Sequence, residues 1–209
     1  MDWSTSLWGA RPRPAESAPP AHRSLVLKAL LDSLRRFPRP AVLDLGAPLG
    51  SNLDLLRALS CRVSIADLHR LLAFEPPERG VRESFPAQLE RLLPAPPPGG
   101  FAAVLSWDLF NYLRRDQIQA LTARLAPTLE AGAQVLAFVW TRPTIPCAPL
   151  RYRMLDDENV VGEGAREPER PAPLYKQPDF ARMMPGFAVS RSYLLRNGIQ
   201  EYLFANGMT

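Results

Sequence analysis

Residues 42–50 read VLDLGAPLG, and Asp67 follows 21 positions after Gly46, the first glycine of that stretch. The apolar run Ala41–Leu45 predicts a buried strand that ends at a glycine turn. Leucines at helical spacing then predict a helix, and RVSIADL at 62–68 predicts a second strand that ends at Asp67. Strand, glycine turn, helix, strand and acid, in this order, form the layout of a nucleoside-binding unit.

Each part of this layout has a physical purpose in binding a nucleoside. Glycine lets the backbone pass close to a ligand, the start of the helix offers free N–H groups, and an acid at the strand end accepts hydrogen bonds from ribose hydroxyls. We therefore expect Gly46, Gly50 and Asp67 to bind a cofactor. Asp44 lies inside the buried strand, where a carboxylate needs partners, so we expect it to bond the N–H groups of the turn or the cofactor.

The rest of the chain continues the alternation of strands and helices. Four further strands are predicted, at 101–107, 133–140, 187–195 and 199–205. An amphipathic helix over 114–129 separates the first two, and Asn197-Gly198, a strong hairpin signal, joins the last two. Ser24 is the candidate N-cap of a first helix, and Ser51 or Asn52 that of the helix after the glycine turn. The pattern predicts a parallel sheet with helices on both faces that ends in an antiparallel hairpin.

With VLDLGAPLG at 42–50, Asp67 and AVLSWDLFNYL at 103–113, the chain resembles class I S-adenosylmethionine-dependent methyltransferases over roughly residues 24–205. The resemblance implies a three-layer, Rossmann-like α/β sandwich with a seven-stranded, mostly parallel sheet. It implies S-adenosylmethionine as the cofactor and methyl transfer as the activity. The residues it places on the cofactor are Asp44, Gly46, Gly50, Asp67 and Trp107.

The glycine turn departs from the usual Gly-x-Gly-x-Gly pattern of these enzymes. Pro48 stands at the central glycine, and proline has a fixed φ near −65° and no N–H. The acid that would meet the adenine amine after the third strand is also not obvious, with Glu83 and Glu90 as candidates. Two functions therefore stay open. One is methyl transfer to an unidentified small-molecule or protein acceptor, and the other is a catalytically inactive methyltransferase-like protein that serves as a binding or assembly module.

Polar residues after the strand at 101–107 lie at the edge where ligands collect in open α/β sheets. Asp108 is the candidate catalytic base, or a contact for the cofactor's ammonium group; alternatively it caps the turn that follows. Trp107 and Tyr112 either wall a pocket or belong to the core. His69, two residues after Asp67, is expected to be a surface histidine.

The proline distribution suggests how the domain is organised. Residues 1–21 form an extended N-terminal arm, and residues 22–209 form the methyltransferase-like domain. Residues 141–178 hold seven prolines and no sustained period, which predicts a flap over the carboxyl edge of the sheet. The arm and the flap are the candidate surfaces for a protein partner.

Composition excludes several classes of protein. With 46% hydrophobic and 22% charged residues in 209, the chain is globular rather than disordered. Its apolar stretches are about a strand long, well short of the ~20 residues of a membrane-spanning helix, and no secretory signal is visible. Cys61 and Cys147 give neither a disulfide framework nor zinc spacing, so we expect no metal site and a cytoplasmic protein. A net charge of +4 does not indicate a nucleic-acid partner.

Overall fold

The computed structural model of the chain describes residues 21–72, 83–165 and 167–207. The predicted arm at 1–21 lies outside the described residues except for its last position. The helices are α1 (Leu25–Leu34), α2 (Gly50–Ala58), α3 (His69–Leu72), α4 (Phe85–Leu92), α5 (Arg115–Leu125) and α6 (Gln177–Met183). The strands are β1 (His22–Arg23), β2 (Ala41–Asp44), β3 (Arg62–Ile65), β4 (Phe101–Trp107), β5 (Leu129–Trp140), β6 (Thr144–Pro146), β7 (Arg151–Met154), β8 (Asn159–Glu163), β9 (Glu169–Pro171), β10 (Phe187–Leu194) and β11 (Ile199–Asn206).

The central sheet of the described residues has six strands in the order β10-β11-β5-β4-β2-β3. The four strands from β5 to β3 run parallel, whereas β11 is antiparallel to both β5 and β10. Gly198 lies between the two hairpin strands with a φ of +82°, a conformation that costs glycine nothing. The predicted hairpin at Asn197-Gly198 is thereby confirmed.

The predicted seven-stranded, mostly parallel sheet is not confirmed, because the described residues give a mixed sheet of six strands. The sequence pattern marks these same six strands, and only the family resemblance implies a seventh. Residues 73–82, between α3 and α4, lie outside the described residues. The α/β architecture with helices on both faces of the sheet is as expected.

Two apolar cores lie on opposite faces of the sheet, because neighbouring strand residues point to opposite sides. On β2, Val42 packs with α1 and α2, whereas Leu43 packs with α4, α5 and α6. Helix α1 contributes five buried side chains to the first core. Burial of each such apolar side chain stabilises the fold by about 1.5–3 kcal/mol.

Helices α1 and α2 begin in different ways, because a side-chain cap marks the start of α1 but not that of α2. The Ser24 hydroxyl accepts a hydrogen bond from Leu27 N at 3.1 Å, as its position predicts. The prediction for α2 is wrong: the N-cap is Leu49, without a side-chain hydrogen bond. Asn52 lies inside α2 instead, where its side chain is turned away from the helix end to bind a neighbouring strand.

The proline-rich segment at 141–178 contains regular structure that its sequence does not signal. Strands β6 and β9 pair with each other, and β7 and β8 form a three-stranded antiparallel sheet with β1. The Asn52 side chain donates to Tyr152 O and accepts from Met154 N, both at 2.8 Å, and so fixes β7 against α2. Whether this segment opens as a flap stays a prediction.

Among the described residues, no helix combines the length and apolarity that crossing a bilayer requires.

Candidate functional site

A crevice is expected where the strand order reverses, outside the carboxyl ends of β2 and β4. Strand β2 has its successor in the chain, β3, on one side and β4 on the other, so the reversal falls between β2 and β4. The turn that begins at Gly46 leaves β2 at this point, and Trp107 ends β4. The structure therefore brings together the residues that the sequence nominates, from distant parts of the chain.

Asp44 is the buried acid of this crevice. Its Oδ1 accepts hydrogen bonds from Gly46 N at 2.9 Å and from the Trp107 indole N–H at 2.8 Å. The pKa of Asp44 is raised to about 6, chiefly by burial and to a lesser extent by the charge of Asp67, although the two hydrogen bonds oppose this rise. The expected bond to the N–H groups of the turn is confirmed, and Asp44 fixes both the turn and the indole.

Trp107 covers the glycine turn. A Cβ added at Gly46 would lie 2.6 Å from Trp107 Cδ1, so only glycine allows this contact. The other side of the indole stacks on Tyr152 at 5.7 Å and 8°, and Phe138 meets it edge-on at 5.8 Å. Trp107 has a positive φ of +49°, which directs its side chain out of the strand's regular alternation. The indole, 1% exposed, closes this half of the crevice.

Asp67 marks the other half of the crevice, beyond the end of β3. Its backbone has a φ of +42°, and its side chain is 22% exposed. Oδ1 is buried and accepts no hydrogen bond from any described residue, while Oδ2 lies 4.0 Å from Arg70 Nε. Burial raises the pKa of Asp67, and the Arg70 charge partly offsets this. Asp67 thus presents a partly exposed carboxylate, with one oxygen that has no hydrogen-bond donor among the described residues.

The N-terminus of α2 borders the same crevice. Helix α2 begins at Gly50, and its N-cap Leu49 supplies no side-chain acceptor, so the first N–H groups lack a side-chain partner. A Cβ at Gly50 would meet nothing within 4 Å, so space does not require glycine there. Pro48 is exposed on the turn. These open N–H groups, with their partial positive charge, suit a polar or anionic ligand group.

Asp108, the predicted catalytic residue, is fully buried beneath the crevice. Its Oδ2 accepts a hydrogen bond from Leu150 N at 3.2 Å. Burial raises the pKa of Asp108 to about 7; the bond from Leu150, the Trp140 indole and the Tyr152 hydroxyl act in the opposite direction. It makes no side-chain cap bond to the turn Leu109–Tyr112, so the capping alternative is wrong.

Asn111 and His69 complete the surroundings of Asp108. The Asn111 amide donates to Asp108 O and Phe138 O and accepts from Trp140 N, so it ties the turn Leu109–Tyr112 to β5 and has both of its N–H donors engaged. His69 Nε2 lies 4.0 Å from Asp108 Oδ1. Burial lowers the pKa of His69 to about 4, which makes the ring neutral at pH 7.

The expectation that His69 is a surface histidine is wrong, since it is 8% exposed. Its position after a strand end carries no periodic signal, and only the approach of α3 to the end of β4 buries it. Tyr152 is missed as well, because no pattern in the proline-rich segment distinguishes it. Of the candidates for the adenine contact, Glu83 is paired with Arg91, and Glu90 with an arginine of α5.

A mixed α/β sheet with this crevice at its switch point is the architecture of the class I S-adenosylmethionine-dependent methyltransferase-like fold. Among solved structures, the chain is similar to an S-adenosylmethionine-dependent methyltransferase from Clostridium acetobutylicum ATCC 824, with a TM-score of 0.51 and 12% identity over 87% of this chain and 91% of that one. It is also similar to the PH0226 protein of Pyrococcus horikoshii OT3, with a TM-score of 0.50 and 12% identity over 87% and 89% of the two chains.

At these identities the likeness shows the fold alone, and it confirms an α/β methyltransferase-like fold with a mixed sheet, not the seven-stranded, mostly parallel sheet. No family model matches the chain, and no curated protein matches it either. The proposed function therefore rests on the geometry of the crevice.

Proposed function

We propose that this protein binds S-adenosylmethionine in the crevice between β2, β3 and β4 and transfers its methyl group to a small-molecule or protein acceptor. The observation that carries the proposal is the carboxylate of Asp67 at the end of β3, which is partly exposed, receives no hydrogen bond on Oδ1 from any described residue and is suited to ribose hydroxyls. The open N–H groups of α2 support it. The similar protein from C. acetobutylicum is named as a methyltransferase that depends on this cofactor.

The two halves of the crevice suit the cofactor differently. The half beside Asp67 suits a ribose. At the other half Gly46 N already bonds Asp44, and the Trp107 indole lies against the turn. A ligand group that reaches this glycine requires the indole to move away from Asp44 and Tyr152.

When bound, the cofactor supplies a methyl group on a sulfonium, and the chain supplies binding and exclusion of water. Asp67 holds the nucleoside end, and the β7–β8 sheet covers the crevice near Trp107. Because Asp108 is fully buried, it acts on the shape and charge of the crevice floor rather than on an acceptor proton.

A second candidate function is a catalytically inactive methyltransferase-like module that binds or assembles with another protein. The position of Trp107 on Gly46 favours it, since three contacts hold the indole where a ligand would approach the turn. Pro48, which lacks an N–H, points the same way. The N-terminal arm and the 141–178 segment are then the proposed contact surfaces.

Calorimetric titration with S-adenosylhomocysteine distinguishes the two functions. We expect the wild type to bind, and Asp67→Ala to lose about 1.5–3 kcal/mol of binding free energy, the range for a hydrogen bond to a charged group. Asp54→Ala is the matched control, because that carboxylate on α2 is 79% exposed. Trp107→Phe removes the indole N–H and leaves a smaller ring, so it should bind more tightly than the wild type.

The binding results for the wild type and Trp107→Phe distinguish the two functions. If neither the wild type nor Trp107→Phe binds at millimolar cofactor, the methyl-transfer proposal fails and the inactive module is favoured. If only Trp107→Phe binds, the wild-type crevice is closed by its own tryptophan, and catalysis by the wild type is again contradicted.

A further inference from the structure

A second cavity, of about 120 Å³, lies between the β1-β8-β7 sheet and the carboxyl end of β5. Its lining includes His22, Trp140, Arg142, Tyr152, Asn197 and Ile199. Tyr152 belongs to its wall and also stacks on Trp107, so this one ring separates the cavity from the crevice. The cavity is thus distinct from the proposed cofactor site, and nothing in that proposal uses it.

Arg142 places a positive charge at the rim of this cavity. Its guanidinium lies 5.9 Å from the centre of the Trp140 ring. Its aliphatic part crosses Gly198 so closely that a Cβ there would lie 2.8 Å from Arg142 Cγ, which restricts the side chain. Within the part of the chain that the structure describes, no carboxylate forms an ion pair with Arg142. A restricted, uncompensated guanidinium suits a planar carboxylate.

The inner end of the cavity has the opposite character. His22 Nε2 lies 3.4 Å from Oε1 of Glu201, whose side chain is fully buried. The His22 ring meets Phe138 edge-on at 5.7 Å, which fixes its orientation. Because a carboxylate lies behind His22, an anionic group is unfavourable at this end. An anion in the cavity must therefore direct its charge outward, to Arg142.

The walls and the volume limit what the cavity can hold. Trp140 and Tyr152, 5% and 2% exposed, line the cavity with the small part of their aromatic surface that other side chains leave uncovered, and a flat ring packs favourably on such surface. Pockets for drug-sized ligands measure about 300–1,000 Å³, whereas an apolar cavity of about 150 Å³ in another protein binds benzene. At about 120 Å³ the cavity is smaller than this, so it holds at most a single ring, and a charged substituent must lie at the rim beside Arg142.

We propose that this cavity binds a small aromatic carboxylate, with its ring against Trp140 and its carboxylate on Arg142. The proposal goes beyond methyl transfer and holds whether or not S-adenosylmethionine binds, because no group of the cofactor crevice other than the shared Tyr152 takes part.

Two-dimensional ¹H–¹⁵N NMR of the full chain tests this site with three probes: benzoate, benzamide as its neutral analogue, and acetate as an anion without a ring. Trp140→Phe identifies the indole signal of Trp140. We expect benzoate to shift that signal and to bind at least about tenfold more tightly than benzamide, which lacks the charge-assisted hydrogen bond. It should also bind more tightly than acetate, which lacks the ring.

Arg142→Gln should weaken benzoate about tenfold and leave benzamide unchanged, because only the charge contact is lost. Arg191→Gln is the control, since Arg191 is exposed on β10 and does not line the cavity. The proposal is overturned if millimolar benzoate leaves the Trp140 signal in place. It is equally overturned if Arg142→Gln and Arg191→Gln bind benzoate alike, which would indicate a nonspecific site.

Discussion

Replacement of Asp108 by asparagine tests whether the carboxyl beneath the crevice is sealed from water. Asparagine has nearly the shape of the protonated acid, so the variant should fold. The pKa of Asp108 is about 7 in the folded protein against 3.8 for an ordinary aspartate, because burial disfavours the charged form. The folded state therefore holds this proton up to pH 7, whereas the unfolded chain releases it near pH 4.

Because the folded state binds more protons, the contribution of Asp108 to stability is largest at low pH and is lost as the pH rises to 7. Because asparagine has no carboxyl to ionise, the stability of Asp108→Asn does not fall in this way as the pH rises. From pH 5 to pH 8 its free energy of unfolding should rise relative to the wild type by about 3 kcal/mol, from two pKa units at 1.36 kcal/mol each. Urea unfolding at several pH values measures the difference.

Asp54→Asn is the matched control for this series, because the Asp54 side chain is 79% exposed and its replacement should give no pH-dependent difference. If the difference between Asp108→Asn and the wild type stays constant to within about 0.5 kcal/mol, the carboxyl is reached by water. The assignment of Asp108 to the crevice floor would then be wrong, and a role as an accessible base would return.

Two further substitutions test the contacts that close the crevice. Gly46→Ala forces a methyl group into the Trp107 indole and should lower the free energy of unfolding in urea by about 1–3 kcal/mol. In Gly50→Ala the added methyl group meets nothing within 4 Å, so this variant should not be destabilised. Equal losses in the two variants would contradict the packing of Trp107 on Gly46. Asn52→Ala removes the side-chain hydrogen bonds to Tyr152 O and Met154 N and should speed proteolysis at 151–163, unlike Ser51→Ala at its exposed neighbour. Unchanged cleavage would show that β7 is held by other contacts.

The central sheet could be predicted because local sequence patterns indicate each of its strands. Most of them are apolar runs of strand length with glycine, proline or asparagine at one or both ends, β3 leads instead to Asp67, and Asn197-Gly198 fixes the hairpin. The small sheets could not be predicted, because β1 has two residues and its partner β8 lies far along the chain. Such short strands are stabilised by tertiary contacts and leave no period in the sequence.

The sequence could predict which positions of the backbone form the candidate site, but not how the side chains there pack. Asp44 and Asp67 follow from their places in and after predicted strands. The contact of Trp107 with Gly46 depends on a φ of +49°, which tryptophan does not signal. The burial of His69 and the stack of Tyr152 depend on distant segments, so sequence periodicity could not reveal them.

The packing of α1 has a consequence for how the protein is made. Its apolar face is covered by strands that are synthesised much later: Ser33 bonds Gln134, 101 positions away, and Val26 bonds Glu201, 175 positions away. At 5–20 residues per second, the last of these partners leaves the ribosome roughly 10–35 s after α1. During that time the five apolar side chains of this short helix remain only partly covered. The first core therefore closes only after β11 has been synthesised, and until then α1 is the segment that a nascent-chain chaperone would shelter.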